Sequence, residues 1–236
     1  MEAGGVRRPA PGFGEGDRAD KSMHRMTQQR LAGSGALALL ALLTACGGYG
    51  DVRNLAAPGE AIVCFGDSLT AGQGAPPGGE YPTVLAGLLN RKTLNAGVSG
   101  DTTAAALRRI EPDVLAHRPR LVIVCLGGND FLQQRPKAEA FQNLGTVVGL
   151  IQEAGAMVVL VGVRLGLFVD EYAEGYAALA AERGCLYIPD ILDDILDDDS
   201  LKADNIHPNA AGYRLMAERI AAEVKPLLEA ADQARG

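Results

Sequence analysis

From residue 61 onward the chain alternates short unbroken apolar runs with longer stretches in which apolar residues recur every three or four positions. A strand buried on both faces loses the in-and-out alternation of a half-exposed one. Continuous apolar runs bounded by glycine therefore predict strands at 61–65, 93–98, 121–126, 157–163 and 186–188. The helical periodicity between and after them predicts helices at 81–90, 102–117, 137–154, 170–183 and 209–231. Strand then helix, five times over, is the pattern of an α/β protein with a parallel sheet, because right-handed crossovers lay helices on both faces. Sheets of this kind hold their ligands beyond the carboxyl ends of the strands. No internal repeat or interdomain linker interrupts 60–230, which predicts one domain there.

Ahead of residue 60 the pattern changes. Lys21, Arg25 and Arg30 precede the run 31–45, which is apolar apart from Ser34, Thr44 and two glycines. A helix needs about 20 apolar residues to cross the roughly 30 Å hydrocarbon slab, so 23–45 is expected to be a secretory signal rather than a transmembrane anchor. The run closes on Leu43-Thr44-Ala45-Cys46-Gly47, which resembles the lipobox of bacterial lipoproteins and implies lipid on Cys46. The alternative is plain cleavage after Ala45 with Cys46 as a free thiol. On the lipoprotein reading, 1–22 is a disordered extension or an over-called start, 46–59 is a tether, and the folded domain sits on the periplasmic face of a bacterial membrane.

Composition narrows the function classes. Hydrophobic residues at 47% and charged residues at 22% fit a globular chain and argue against wholesale disorder, a fibre or a polytopic membrane protein. A net charge of −7 argues against the concentrated cationic face that nucleic acid needs, and the absence of Trp with aromatics at only 5% leaves few stacking platforms. With Cys46 set aside, Cys64, Cys125 and Cys185 remain, an odd number that cannot close into a disulfide framework. Cys64 and Cys125 fall inside apolar strand runs and are expected as small buried hydrophobes.

The polar residues at the strand ends carry the candidate chemistry. The first strand ends in Gly66-Asp67-Ser68-Leu69, where a tight turn can project the serine hydroxyl into a site, or where Ser68 simply caps the next helix. The second ends in Gly97-Val98-Ser99-Gly100-Asp101-Thr102, with glycine freeing backbone N–H groups and Asp101 able to cap a helix. The third ends in Gly127-Gly128-Asn129-Asp130, and an asparagine amide there can donate to a developing oxyanion or serve a turn. After the fifth comes Asp204-Asn205-Ile206-His207-Pro208. Pro208 holds His207 out of helical geometry, and the three-residue spacing lets a carboxylate reach Nδ1 and leaves Nε2 free as a base. A serine hydroxyl needs a neighbour to take its proton. Of the three histidines, His24 lies in the signal region and His117 at a helix end, which leaves His207.

Four blocks in this order, spanning about 60–228, resemble the SGNH hydrolases, the GDSL esterase and lipase family, in its arylesterase, thioesterase I and lysophospholipase L1 branch. The resemblance implies a flavodoxin-like three-layer α/β/α sandwich with a five-stranded parallel sheet. It implies Ser68 as nucleophile, His207 as base and then acid, Asp204 as its orienter, and an oxyanion hole from the Ser68 and Gly100 N–H groups and the Asn129 side chain. The implied reaction is hydrolysis of small-molecule carboxylic esters or thioesters with no metal or organic cofactor, by a chain most simply monomeric. Alternatives are O-acetylesterase activity on cell-envelope glycans and a catalytically silent lipoprotein. The chain departs from that branch at 164–170, where a different sequence replaces the usual turn, and at Phe131, which stands where glycine is common and either narrows the pocket mouth or packs in the core.

Other signals point elsewhere less strongly. Ser99 lacks the G-x-S-x-G elbow of a nucleophile, and no phosphate-binding glycine loop is present. Acidic residues from Asp190 to Asp199 alternate with Ile191, Leu192, Ile195 and Leu196 at helical spacing, which predicts a solvated helix face rather than a cation site. Pro76, Pro77, Gly78 and Gly79 form a loop that shapes the substrate entrance or merely makes a turn.

Overall fold

Five parallel strands form one sheet in the order β2-β1-β3-β4-β5. The computed structural model describes residues 48–164 and 170–236. The expected extension 1–22, signal segment 23–45, lipidation residue Cys46 and the departure at 165–169 lie outside the described residues. Along the chain the elements are β1 (Ala61–Gly66), α1 (Ser68–Ala71), α2 (Tyr81–Leu89), β2 (Thr93–Gly97), α3 (Thr103–Asp113), β3 (Pro119–Cys125) and α4 (Gly128–Leu132). They continue with α5 (Lys137–Glu153), β4 (Met157–Val161), α6 (Asp170–Arg183), β5 (Leu186–Ile188) and α7 (Ala210–Gln233).

Continuous apolar runs did become strands buried from both sides: β3 and β4 are buried along their whole length. On one face of the sheet, Ile62, Cys64, Ile123 and Val159 pack under Tyr81 and Leu85 of α2 and Tyr213, Met216 and Ile220 of α7. On the other, Val63, Phe65, Val124 and Leu160 pack under Ala106 and Ile110 of α3, Leu144, Val148 and Ile151 of α5 and Tyr176 of α6. Helix, sheet and helix make the three layers expected. Cys64 and Cys125 are fully enclosed, and burial pushes the Cys64 thiol up to about 12 and Cys125 well above its ordinary value, so both are inert apolar fillers.

The helix predicted for 102–117 stops at Asp113. Pro112 supplies no N–H and crowds the carbonyl one turn back, and Val114 departs to φ −127°, so the chain finishes in a short 3-10 turn, Leu115–His117. Residues 191–199 are turns rather than the expected helix, with Asp194 in left-handed backbone at φ +58°. The sidedness survives: Ile191, Leu192 and Ile195 are buried while Asp193, Asp194, Asp197 and Asp198 are exposed. The loop 76–79 is a turn closed by Gly79 N–H on the Pro76 carbonyl at 2.9 Å.

Residues 48–59, expected as a tether, lie along the amino-terminal edge of the sheet. Val52 and Ala57 are buried, the Arg53 N–H donates to the Gly184 carbonyl at 2.9 Å, and the Asn54 amide donates to the carbonyls of Gln152 and Ala156 at 2.8 and 2.9 Å. At the opposite edge, Gly66 of β1 is level with Gly97 of β2 and Cys125 of β3. A side chain on Gly97 would collide with the backbone of Ala71, so only glycine lets α1 lie against the end of β2. The chain reverses direction across the sheet between β1 and β3, the place where open α/β sheets leave a crevice.

Candidate active site

Asp67 and Ser68 occupy the turn from β1 into α1. Asp67, not Ser68, is the helix cap: its Oδ1 accepts the Leu69 N–H at 3.0 Å. Ser68 is thereby left as the first helical residue with its hydroxyl unclaimed by capping. From the other end of the chain, His207 Nε2 lies 2.9 Å from Ser68 Oγ. His207 is buried in the segment before α7, where Asn209 caps the helix by accepting from the Ala211 and Gly212 N–H groups.

Asp204 grips His207 from behind. The imidazole Nδ1 is 2.8 Å from Asp204 Oδ2 and 3.0 Å from Oδ1, and Oδ1 also accepts the backbone N–H groups of Ile206 and His207, both at 2.9 Å. These donors, the Ile206 N–H foremost and the His207 ring next, hold the Asp204 carboxyl below its ordinary value. A charged Asp204 accepts from Nδ1–H, which fixes the tautomer with a bare Nε2 aimed at the hydroxyl. The arrangement can move a proton from Ser68 to His207.

The block after β2 presents Gly100 at φ +85°, a conformation glycine reaches without strain. Asp101 does not cap α3; Thr102 does, accepting the Ala105 N–H at 3.3 Å, and Asp101 instead pairs with Arg109. Asn129 sits in the first turn of α4 and serves more than a turn. Its Nδ2 donates to the Asp101 carbonyl at 3.0 Å and points more loosely at Asp67 Oδ2, 3.4 Å away. The second N–H is held at long range and remains available to a stronger acceptor.

Ser68, Gly100, Asn129 and His207 line one pocket of about 190 Å³ together with Asp67, Leu69, Gln73, Leu132, Val163 and Ile206. Larger hollows lie elsewhere, including one of about 840 Å³ between α5 and α6, but no nucleophile paired with a base lines it. Among the described residues no group of three or more His, Cys, Asp or Glu side chains is placed to share a metal ion. Phe131 packs edge-on against Tyr172 at 5.6 Å between ring centres, and it is the next residue, Leu132, that reaches the pocket. Ser99 is exposed in the loop before Gly100.

Three polar residues of this edge were not singled out from the sequence. Asp67 is buried, and burial raises its carboxyl to about 6. Asp130, also buried, accepts the Thr103 N–H at 2.8 Å and the Thr103 hydroxyl at 2.7 Å, tying the third block to the start of α3. Arg109 donates to carbonyls at the ends of β1 and β2. An aspartate beside a serine in a strand-end turn was the one local signal available, and it pointed to the pair rather than to the carboxylate.

Residues 64–215 match the model of the GDSL-like lipase/acylhydrolase family. Esterase TesA of Pseudomonas aeruginosa is 29% identical over 183 residues, covering 73% of this chain and 91% of its own. Thioesterase 1/protease 1/lysophospholipase L1 of Escherichia coli strain K12 is 30% identical over 181 residues, covering 73% of this chain and 87% of its own. Among solved structures, that of AlinE4, an SGNH-hydrolase family esterase, aligns with a TM-score of 0.58 at 36% identity over 75% of this chain and 94% of that one.

Proposed function

The chain belongs to the GDSL-like lipase/acylhydrolase family, and from that premise we propose that it is an ester hydrolase in which Ser68 is the nucleophile, His207 the proton carrier and Asp204 its orienting partner. The observation that carries the reading is the unbroken run from Ser68 Oγ to His207 Nε2 at 2.9 Å and from His207 Nδ1 to Asp204 Oδ2 at 2.8 Å. Ser68 Oγ attacks the acyl carbon while its proton passes to Nε2. The oxyanion that forms accepts from the N–H groups of Ser68 and Gly100 and from the Asn129 amide, which turns from Asp67 to meet it. Collapse expels the alcohol or thiol, which leaves with the proton from Nε2. Water, deprotonated by the same nitrogen, then attacks the acyl-enzyme and frees the acid and Ser68.

The substrate reading is a carboxylic ester or thioester of arylesterase, lysophospholipase or acyl-thioesterase type. The lipobox-like Leu43-Thr44-Ala45-Cys46 supports attachment of the mature protein to the cell envelope by lipid on Cys46. Residues 48–59 run along the edge opposite Ser68, so such an anchor holds the molecule by the end away from its pocket. No helix among the described residues is long and apolar enough to cross a membrane.

The test is turnover of p-nitrophenyl acyl esters by the wild-type chain and by Ser68→Ala. Rapid release of p-nitrophenol by the first and none by the second is the expected result. Equal hydrolysis by both would remove Ser68 from the reaction.

A further inference from the structure

We propose that Arg109 is the positioning residue for the oxyanion side of this pocket, an inference that rests on the assignment of the Ser68 and Gly100 N–H groups as donors. Its guanidinium uses nearly all of its hydrogen-bonding capacity on that edge. Nε donates to Asp101 Oδ2 at 2.6 Å, Nη2 to the Gly66 carbonyl at 2.9 Å, and Nη1 to the Ala96 carbonyl and to Asp113 Oδ2, each at 2.9 Å. The group lies over the Phe65 ring, 4.6 Å from its centre.

A guanidinium is a planar fork whose donors keep fixed directions relative to one another. One such fork here joins three chain segments: the carbonyl two residues before Ser68, a carbonyl near the end of β2, and the carboxylate of the residue that follows Gly100. The distance between the two backbone donors of the oxyanion hole is thus referred to a single rigid group.

Packing does not hold the Gly100 side of the site. Val98, Ser99 and Gly100 are exposed, and a side chain built at Gly100 would meet nothing within 4 Å. What fixes the loop is polar: the Val98 N–H on the Gly66 carbonyl at 3.0 Å, the Asp101 N–H on the Val98 carbonyl at 3.2 Å, the Asn129 amide on the Asp101 carbonyl at 3.0 Å, and Arg109 on the Asp101 side chain. Arg109 and Asp101 are mostly shielded, their side chains 16% and 12% exposed, so water replaces the lost donor poorly. Without Arg109, Asp101 faces a shielded site with no cation, and Gly100 N–H loses its reference to Ser68. A donor misplaced by a fraction of an ångström loses most of what it offers the transition state, and binding of the ground-state ester changes little.

Arg109→Met keeps the apolar stem over Phe65 and removes every donor; Arg109→Lys restores the charge but not the fork. Kinetics on p-nitrophenyl butyrate, normalised to the sites that a fluorophosphonate titrates, separate misplacement from unfolding. Inhibition by an alkyl boronic acid, which forms a tetrahedral adduct on the serine, is measured beside them. Arg109→Met should lose about 10- to 100-fold in kcat per titrated site with KM within about threefold. Its boronate affinity should weaken by a similar factor, and Arg109→Lys should recover only part of each loss. If Arg109→Met gives too few titratable sites, Arg109→Lys supplies the same comparison. A kcat per titrated site within twofold of wild type in both variants would overturn the proposal, as would a fall in kcat with boronate affinity unchanged. A wild-type chain that titrates no site and turns over no ester would overturn the hydrolase assignment along with it.

Discussion

The Asn129 amide stands 3.4 Å from the buried Asp67 carboxylate, directly behind the proposed nucleophile. Burial is the main reason that Asp67 titrates near 6 instead of 3.8, with the Leu69 N–H and His207 pulling it partly back. Because the folded value is the higher one, the unfolded chain releases this proton first. The favourable contribution is complete below about 3.8 and is lost as pH rises through 6, which leaves at pH 8 a burial cost on the order of 3 kcal/mol. Asp67→Asn keeps an acceptor for Leu69 and should therefore melt above wild type at pH 8, with the gap closing toward pH 4. Turnover should fall, because the Asn129 amide loses its charged acceptor. Thermal melts at the two pH values check this, and an equal gap at both would contradict it.

Asn129→Ala removes the proposed oxyanion donor itself. The loss of one oxyanion donor costs about 10²- to 10³-fold in kcat, and the contacts given up are the bond to the Asp101 carbonyl, worth about 1 kcal/mol, and the looser one to Asp67. Steady-state kinetics and a melt on the same preparation should show a large change in the first and a small one in the second. An enzyme with full turnover would have no use for this amide.

Ser68→Ala and His207→Ala should each lower turnover by about 10⁵- to 10⁶-fold, and the double variant should be little worse than either, because in the proposed mechanism the two act through one proton transfer. Fluorophosphonate labelling should vanish in Ser68→Ala. Labelling that persists would move the nucleophile to another serine, Ser99 first.

The parts of this site that were legible in the sequence are those whose chemistry is local. Asp204 and His207 are three residues apart, and Pro208 keeps His207 out of helical geometry, so their contact follows from spacing. Ser68, Gly100 and Asn129 each follow a recognisable apolar run, and parallel strands bring such ends to one edge. Arg109 was not legible, because its bonds to Gly66 and Ala96 reach back 43 and 13 residues, while its spacing from Asp113 reads as an ordinary surface pair on a helix. Asp130 was hidden likewise, since its partner Thr103 is 27 residues away. The acidic stretch 190–199 shows the opposite failure. Its periodicity was sound and its burial followed, but periodicity cannot report the left-handed backbone at Asp194 that makes it a series of turns.

Asp204 is half exposed, so its replacement should separate function from stability. In Asp204→Asn the side-chain oxygen can still accept the Ile206 and His207 N–H groups, but an amide opposite Nδ1 permits the wrong tautomer. The fall in kcat should be about 10²- to 10⁴-fold, with the melting temperature near pH 7 shifted by no more than a few degrees. A large drop in melting temperature with kcat per folded site preserved would make Asp204 a structural residue.

The exposed large hydrophobic side chains among the described residues are Val98, Leu132 and Ile206, at 43%, 45% and 37% exposure, and each belongs to a segment that follows a strand at the carboxyl edge. Leu132 and Ile206 also line the pocket with Leu69 and Val163. Apolar surface left wet beside the proposed nucleophile offers an acyl chain a seat, because an ester that covers it removes both surfaces from water. Each buried methylene contributes about 0.8 kcal/mol, close to fourfold in kcat/KM. Truncating both side chains, as Leu132→Ser with Ile206→Ser, should therefore flatten the dependence on chain length. Against p-nitrophenyl esters from acetate to decanoate, kcat/KM for acetate should stay within about threefold of wild type, while that for octanoate should fall at least tenfold. The Ile206 backbone N–H that braces Asp204 survives the change, so the catalytic geometry is preserved. A uniform loss across the series would show that these side chains support the site itself and not the acyl group.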